Sequence, residues 1–293
     1  MEKLFTIARK DGSGAIIWTE AQKRFIIQEY VEKDNTLKNL SEMFQVGPKS
    51  IRNLLRKENI KITNKKTKNF PRISNFFEKI NTADKAYWLG FLYADGTIHS
   101  SSDSISLEIK DKEHVEKFRE ALGALNNKIT VREDTRFSKT CLMYNFTIHD
   151  SQLHSDLIKW GCIPNKSYLD LHFPKIPEEL KWHFIRGLFD GDGCLSYSFE
   201  RKRFTLSFTG GKTFMEEVRH FFGKDNISLC QNVKSKITYS FRLNGQKQVT
   251  YFLNKIYEGS SKKNRLNRKY EHFLKLLYYS GANTFEPVNT GCE

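Results

Sequence analysis

The sequence predicts an α+β protein in which two copies of an αββαββα unit follow a small all-α domain. Three observations lead to this prediction. An apolar stretch that ends in Asp-Gly occupies residues 88–96 and recurs 97 residues later, at 185–193. Segments in which apolar and polar residues alternate follow each copy, as in strands that bury one face. Ahead of the first copy, apolar residues recur at helical spacing in three short segments.

Residues 1–59 are predicted to form the small helical domain. Helices are expected to begin after Thr19, after Thr36 and at Pro48, because Thr is a favourable N-cap and Pro a favourable first helical residue. Two short helices joined by a turn of about four residues are typical of a helix-turn-helix. The polar and basic side chains that its third helix would present to phosphates and base edges are Lys49, Ser50, Arg52, Asn53 and Arg56. A three-helix bundle that binds protein has the same pattern and stays an alternative.

Residues 60–75 are predicted to be a basic linker between domains. The segment includes Lys65, Lys66 and Lys68 and contains no acidic residue. An extended chain of this composition is suited to following a phosphate backbone. At the other end of the chain, residues 281–293 are predicted to be a disordered tail.

Residues 76–175 and 176–280 are the two predicted repeats. Each begins with a helix that contains one apolar stretch, the first capped near Thr82 and the second opening at Pro177. The other elements of the first repeat are a strand near 104–110, a helix near 112–123, strands near 128–134 and 141–148, and a helix near 151–160. Those of the second are strands near 194–199 and 204–209, a helix near 212–222, strands near 227–233 and 236–243, and helices near 246–257 and 264–279.

The alternating strands leave one face of each sheet polar. An ordinary solvated face is the usual explanation of such a pattern. Here the polar positions are rich in Ser, Thr, Asn and Arg, which favours a surface that contacts base edges in a nucleic-acid groove. The candidate contact residues are Thr130, Arg132, Asn145, Thr147, Arg201, Arg203, Thr205, Ser207, Thr238, Ser240 and Arg242.

Composition supports a polyanionic partner. The chain of 293 residues has a formal net charge of +14 at pH 7, and residues 201–271 alone carry 16 basic and five acidic side chains, an excess that favours nucleic acid. No apolar run reaches membrane-spanning length and no secretory signal opens the sequence, so we expect an intracellular protein, cytoplasmic or nucleoid-associated. Five scattered cysteines without a CxxC pair argue against disulfides and a zinc site.

The two apolar stretches are predicted to pack closely as helices. Each has two small residues four positions apart, on one helix face. These are Gly90 and Ala94 in the first stretch, and Gly187 and Gly191 in the second. Close packing would bring Asp95 and Asp192 to the same end of the helix pair. Two carboxylates that close would repel and raise a pKa, and a hard divalent cation with oxygen ligands removes the repulsion.

The stretches WLGFLYADG and IRGLFDGDG resemble the LAGLIDADG signature of homing endonucleases in length, glycine placement and terminal Asp-Gly. A single copy would also suit an ordinary core helix, but two copies at domain-repeat spacing argue against that alternative. The resemblance covers about residues 76–280 and implies two pseudo-symmetric repeats that form a DNA-binding saddle. It further implies a monomer that cleaves both strands of a long DNA target with Mg²⁺ or another divalent cation.

The resemblance also implies roles for individual residues. Asp95 and Asp192 would each bind the metal and serve one strand. The backbone carbonyls that would assist them are those of Ala94 and Gly191. Lys166 matches the lysine that the family places beside the active site, and Lys263 is the residue that we assign as its counterpart in the second repeat.

The sequence departs from the family pattern at two places. Tyr93 stands where the signature has its first Asp, whereas Asp190 keeps that residue. Gly210 aligns with Asp111, at a position where polar side chains often organise active-site water, so equal activity of the two half-sites is in doubt. Two alternatives on the same scaffold are a transcription regulator that lost catalysis and an intron maturase that acts on RNA. The presence of both acids favours the endonuclease.

Overall fold

The computed structural model describes residues 9–10, 16–31, 35–60, 62, 72–135, 140–166, 169–233 and 235–279. The chain divides into two compact units, residues 1–69 and 70–293. Lys65, Lys66 and Lys68, most of the predicted linker and the predicted C-terminal tail lie outside the described residues. Within the described ranges, no helix combines the length and the apolar character that crossing a membrane requires.

The first unit contains a two-residue strand pairing and three helices. Strand β1 (Arg9–Lys10) pairs antiparallel with β2 (Ile16–Ile17), and helices α1 (Glu20–Val31), α2 (Leu37–Met43) and α3 (Pro48–Lys57) follow. Thr36 Oγ1 accepts a hydrogen bond from the backbone of Asn39, and Pro48 opens α3, as the sequence predicts. The buried core of this unit is Ile26, Tyr30, Leu40, Phe44, Ile51, Leu54 and Leu55. The helices confirm the predicted elements, whereas DNA binding by them stays a prediction.

The second unit begins with one copy of the repeated arrangement. Its elements are α4 (Ala83–Asp95), β3 (Gly96–Ile98), β4 (Ser104–Ile109), α5 (Lys112–Ala121), β5 (Ile129–Asp134), β6 (Cys141–His149) and α6 (Ser151–Lys159). The strands form an antiparallel sheet in the order β3-β4-β6-β5. Arg72 and Ser74, predicted as linker, bind the Asp150 carboxylate in this unit, so the ordered part of the repeat starts earlier than the sequence indicated.

The second copy follows the same order. Its elements are α7 (Lys181–Asp192), β7 (Cys194–Ser198), β8 (Arg203–Gly210), α8 (Lys212–Phe221), β9 (Cys230–Asn232), β10 (Ser235–Asn244), α9 (Gln246–Tyr257) and α10 (Asn267–Tyr279). The sheet order β7-β8-β10-β9 repeats that of the first copy. Helix α10 starts later than predicted because residues 262–264 form a separate 3-10 turn, with Ser261 as its N-cap.

Strand register separates an apolar from a polar face in each sheet. In β8, Phe204, Leu206 and Phe208 are buried, and the residues between them point to the other face. Phe208 pairs with Phe241 and Leu206 with Leu243, so the apolar rows of neighbouring strands coincide. Helices α5 and α8 contact the strands of their own sheets, which places the core between helices and strands. This arrangement leaves a polar face on each sheet of the second unit.

Candidate active site at the paired helix ends

Helices α4 and α7 pack against each other through their glycines. A Cβ atom added to Gly90 would overlap the Phe184 carbonyl oxygen, and one added to Gly187 would overlap the carbonyl oxygen of Tyr87. One turn further along, a Cβ on Gly191 would collide with that of Ala94. The backbones therefore approach as closely as the small residues allow, and the predicted helix pairing is confirmed. Asp95 and Asp192 are the last residues of the two helices and consequently lie at the same end of the helix pair.

The two carboxylates share one electrostatic environment. Asp95 is half-buried, and Asp192 is partly enclosed by the site but keeps part of its surface open to solvent. Burial raises the pKa of Asp95 to about 6, and the negative charge of Asp192 contributes to the increase. Burial also raises the pKa of Asp192, against the positive charges of Lys166 and Lys269. The site thus holds two acids near each other and surrounds them with cations.

A lysine binds the end of each helix. The Lys166 ammonium donates to the carbonyl oxygens of Leu92, Ala94 and Gly96 at 2.7, 2.8 and 2.6 Å. The Lys269 ammonium donates to those of Phe189, Gly191 and Gly193 at 2.6, 3.0 and 2.6 Å. The two sets of acceptors occupy equivalent places in the two repeats. Lys166 and Lys269 are therefore counterparts.

The sequence led us to assign Lys263 as the counterpart of Lys166, and the structure corrects this assignment to Lys269. Lys263 lies exposed in the 3-10 turn, where its backbone N–H donates to Ser261 Oγ. That turn directs Lys263 outward, and the first turn of α10 supplies Lys269 instead. Five basic residues crowd positions 262–269, so spacing alone does not distinguish between them. Only the path of the chain between α9 and α10 identifies the residue.

The donor set suits a hard divalent cation. No group of three His, Cys, Asp or Glu side chains in the described part of the chain would hold a metal by itself. Mg²⁺ is commonly bound by one or two carboxylates together with water and substrate phosphates, and Asp95 and Asp192 fit that pattern. The carbonyls of Ala94 and Gly191, predicted as assisting ligands, are lysine acceptors here, and a carbonyl oxygen has a second lone pair for a cation.

Asp190 ties α7 to the end of its repeat. Its carboxylate is 1% exposed and accepts hydrogen bonds from Tyr87 Oη (2.9 Å), Tyr257 Oη (2.8 Å) and the Leu266 backbone N–H (2.7 Å). The bond to Leu266 fixes the residue just ahead of α10, the helix that carries Lys269. Sequence reasoning identified Asp190 only as part of a motif, because its partners lie far away in the sequence.

The counterpart of Asp190 in the first repeat makes a similar link with different chemistry. Tyr93 donates from its hydroxyl to the Trp160 carbonyl oxygen at 2.5 Å, just ahead of the segment that carries Lys166. Burial raises the pKa of Tyr93 beyond its ordinary value. The neutral phenol of Tyr93 therefore forms the hydrogen bond next to the segment that carries Lys166, and the carboxylate of Asp190 forms the one next to Lys269. The two halves of the site are alike in layout and unlike in charge.

Comparison with known proteins identifies part of the second unit. Residues 82–155 match the family model described as a LAGLIDADG-like domain. The match covers the first repeat from the N-cap of α4 into α6. No curated protein matches the chain.

The solved structures to which this chain is similar are distant from it in sequence. The LAGLIDADG homing endonuclease I-LtrWI bound to target DNA is 11% identical, with 72% of this chain and 92% of that chain covered and a TM-score of 0.44. For the meganuclease I-CpaMI bound to uncleaved DNA, the identity is 12%, the coverage 69% and 93%, and the TM-score 0.42. For full-length DUF199/WhiA from Thermatoga maritima, the values are 14%, 74% and 67%, and 0.41.

In the first repeat, the predicted contact residues lie on the polar sheet face. Thr130 pairs with Asn145 across β5 and β6, and Thr147 shares a hydrogen bond with Ser106 at 2.8 Å. Arg132 binds the Glu108 carboxylate through two nitrogen atoms. The Glu108 carboxylate thus balances the charge of this arginine.

In the second repeat the predicted residues also share the polar face. Ser207 pairs with Arg242 across β8 and β10, and Thr205 Oγ1 donates to Asn244. The residues on this face or its turn are Arg201, Arg203, Thr205, Ser207, Thr238 and Arg242. Ser240 is only 8% exposed and shares a hydrogen bond with Thr209 at 3.2 Å, and its contact with DNA stays a prediction. The cross-strand partner covers it.

The third helix of the first unit presents its predicted face. Lys49, Arg52, Asn53 and Arg56 are exposed, and Ser50 is half-buried. The apolar residues of α3, including Ile51 and the two leucines, point into the core. The helix therefore has a polar, basic outer side of the kind that the sequence predicts for contact with nucleic acid. That contact stays a prediction.

Proposed function

We propose that this protein is a site-specific DNA endonuclease that hydrolyses one phosphodiester bond in each strand of a long duplex. One observation carries the proposal. The two repeats bring Asp95 and Asp192 together at the ends of paired helices, with an equivalent lysine fixed at each end. A two-fold arrangement of acids and cations suits a substrate whose two strands are themselves related by approximate two-fold symmetry.

Phosphodiester hydrolysis requires an in-line water, stabilisation of charge on the phosphate and help for the leaving oxygen. In this proposal Asp95 and Asp192 hold a divalent cation. When bound, the cation stabilises charge on the phosphate and lowers the pKa of coordinated water. The lysines add fixed positive charge, because three carbonyl acceptors hold each ammonium in place. A fixed charge needs no reorganisation when the phosphate gains charge.

Duplex binding in this proposal uses the polar sheet faces and the basic excess. Hydroxyl, amide and guanidinium groups on the two sheets offer hydrogen bonds to base edges and phosphates. The exposed basic side of α3 adds a second region of contact, which suits a long target. The net charge of +14 makes binding strongly dependent on salt.

The test incubates purified protein and Mg²⁺ with DNA that spans the insertion site of its own gene, and then maps the ends. We expect one Mg²⁺-dependent double-strand break. Asp95→Asn combined with Asp192→Asn should abolish the break and keep DNA binding, measured in Ca²⁺. Because loss of the negative charges relieves repulsion of phosphate, binding should not weaken.

Other outcomes of this experiment identify other functions. Specific DNA binding with no cleavage in any divalent cation would indicate a regulator. Binding to intron RNA that promotes splicing, without DNA cleavage, would indicate a maturase. Full double-strand cleavage by the double variant would show that these carboxylates are not the catalytic groups.

A further inference from the structure

The two halves of the site differ where α5 and α8 begin. Asp111 immediately precedes α5, and Gly211 immediately precedes α8. The structural counterpart of Asp111 is therefore Gly211, one residue beyond the Gly210 that sequence alignment suggested. Asp is a favourable N-cap, yet the Asp111 side chain makes no capping hydrogen bond to its own helix. Its carboxylate has another partner.

That partner is Arg268, from the first turn of α10. Arg268 Nε donates to Asp111 Oδ1 at 3.2 Å and Nη2 donates to Oδ2 at 3.1 Å. A two-point pair of this kind fixes the plane of the guanidinium as well as its position. Arginine has five N–H groups, and these two bonds, which are those that the described residues make with Arg268, leave three for another anion. The side chain is 63% exposed, so an incoming anion has access.

The other half of the site excludes this arrangement. A Cβ atom on Gly211 would lie 2.5 Å from Asp170 Oδ1, so a side chain at that position meets the Asp170 carboxylate. Asp170 is needed there because it accepts from the Thr213 backbone N–H at 3.0 Å and from the Thr213 hydroxyl at 2.6 Å, which caps α8. The residue before Lys166 is Asn165, where Arg268 precedes Lys269. At these two equivalent positions, the second repeat carries an arginine and the first repeat does not.

Arg268 adjoins a lysine of the site in sequence and is close enough to Asp95 to affect its pKa. It follows α9 in the chain and immediately precedes Lys269, whose ammonium binds the Gly191 carbonyl. Burial raises the pKa of Asp95, and Arg268 is among the cations that oppose this increase. The carboxylate bonds from Asp111 raise the pKa of Arg268, so the guanidinium stays charged. A charged guanidinium in the first turn of α10 therefore acts on Asp95, whereas the residue before the equivalent lysine of the first repeat is the neutral Asn165.

We propose that Arg268 is a phosphate-binding catalytic residue for one DNA strand only, oriented by Asp111. This inference rests on the proposed endonuclease function. The free N–H groups of Arg268 would bind the non-bridging oxygens of one scissile phosphate and stabilise the charge that those oxygens gain during hydrolysis. Asp111 is a positioning residue, since it acts through the guanidinium. The second strand is cut without an arginine, which makes the two cuts unequal.

The test measures the cutting rate of each strand separately, on supercoiled target with strand-specific end labels. Arg268→Gln should slow one strand by about 10²-fold and leave the other unchanged, in line with the loss of one preorganised donor to a transition-state oxyanion. Arg268→Lys should recover part of the rate, because it keeps charge and loses the two-point geometry. Asp111→Asn should slow the same strand by less. Asn165→Gly, at the counterpart position, removes the side chain and tolerates the left-handed backbone there (φ 56°), so it should change neither rate.

The outcomes separate this inference from the function on which it rests. Wild-type protein that cuts neither strand would overturn both. Wild-type cleavage with equal slowing of the two strands by Arg268→Gln, at unchanged melting temperature and unchanged DNA affinity in Ca²⁺, would overturn this inference alone. If Arg268→Gln lowers the melting temperature, the strand-resolved rates of Arg268→Lys and Asp111→Asn test the inference instead. The inference fails if these two variants slow both strands alike or slow neither.

Discussion

At the scale of single residues, the site depends on charges that the backbone holds in place. Lys166 and Lys269 each direct three donors to carbonyl oxygens at a helix C-terminus, where the helix dipole also favours a cation. Burial lowers the pKa of both lysines, and the neighbouring carboxylates oppose that effect. The acids and lysines therefore stabilise each other's charged forms. Removing one of these acids or lysines therefore removes a charge that stabilises the ionised form of the others.

Lys269→Met should slow cleavage of one strand and destabilise the protein, whereas Lys263→Met should do neither. Met keeps the length of the side chain and removes its charge. Three carbonyl oxygens are left without their partner, at a cost of roughly 1–3 kcal/mol in the free energy of unfolding. Denaturant unfolding and strand-resolved cleavage measure the two effects. The assignment of Lys269 is contradicted if Lys263→Met gives the larger reduction in cleavage.

His114 is a second residue whose protonation bears on the fold. It is 1% exposed and packs against the rings of Tyr87, Trp88 and Phe91. Because Tyr87 donates its only proton to Asp190, its oxygen accepts from Nε2 of His114 at 3.0 Å, which fixes the neutral tautomer. Burial lowers the pKa of His114 to about 3. The imidazole is thus neutral throughout the range in which an exposed histidine titrates.

Acid should therefore destabilise the protein through His114. The unfolded state binds the proton below a pH of about 6.5 and the folded state only below about 3. Stability is lost as pH falls through this window, by about 1.4 kcal/mol per pH unit. His114→Gln should destabilise the protein at pH 7 and lose less stability than wild type between pH 7 and 4. Urea unfolding at both pH values measures the difference. An equal loss in the two proteins, with exposed His149→Gln as the control, would contradict the linkage.

At the scale of elements, the α4–α7 contact holds the two repeats together. Backbone atoms of one helix occupy the space that a side chain on the other would need at Gly90 and Gly187. The contact is rigid on both sides, since the colliding atoms are carbonyl oxygens and amide nitrogens. Tertiary packing, more than helix propensity, decides the residue type here, because Gly costs about 1 kcal/mol relative to Ala in a helix interior.

Gly187→Ala should destabilise the second unit in spite of the better helix propensity of Ala. We expect a decrease in stability of roughly 1–3 kcal/mol or more, because the added methyl group must push two backbones apart. Glu120→Ala is the control, because it introduces Ala without adding bulk and lies at an exposed position on α5 of the same unit. Thermal unfolding monitored by circular dichroism measures both variants. An unchanged or higher melting temperature for Gly187→Ala would show that the helices do not meet in solution.

At the scale of the whole molecule, positive charge is spread over both compact units. The net charge is +14, and the exposed side of α3 in the first unit carries Lys49, Arg52 and Arg56. Binding that rests on such charges releases counterions from DNA, so its affinity falls with salt. The slope of log K against log salt therefore reports the number of phosphates that the protein neutralises. It gives a direct measure of which parts of the chain bind DNA.

Replacing Lys49, Arg52 and Arg56 together by Gln should weaken DNA binding and flatten its salt dependence. Each phosphate that is no longer neutralised should lower the slope by about 0.9. Affinity measured in Ca²⁺ at several salt concentrations gives the slope, and a Lys38→Gln variant serves as an exposed control on α2. A slope equal to that of wild type would mean that α3 does not bind phosphates and would favour the protein-binding bundle.

The sequence by itself determined the elements and the place of the acids. Caps such as Thr36 and Thr82, the alternation in β8 and the two small-residue pairs are local patterns, and local patterns set helix ends, strand faces and close helix approach. Asp95 and Asp192 followed because they end the repeated helices. Each of these features depends on residues within a few positions of one another.

Tertiary structure alone decided which distant side chains meet. Lys269 replaced Lys263 because the chain path after α9 turns one lysine outward and the other inward. Ser240 became buried because of its cross-strand partner. The pair of Arg268 with Asp111 joins residues 157 positions apart, and no periodic pattern encodes such a contact. Partners of this kind depend on loop paths and on mutual packing, so only the folded chain reveals them.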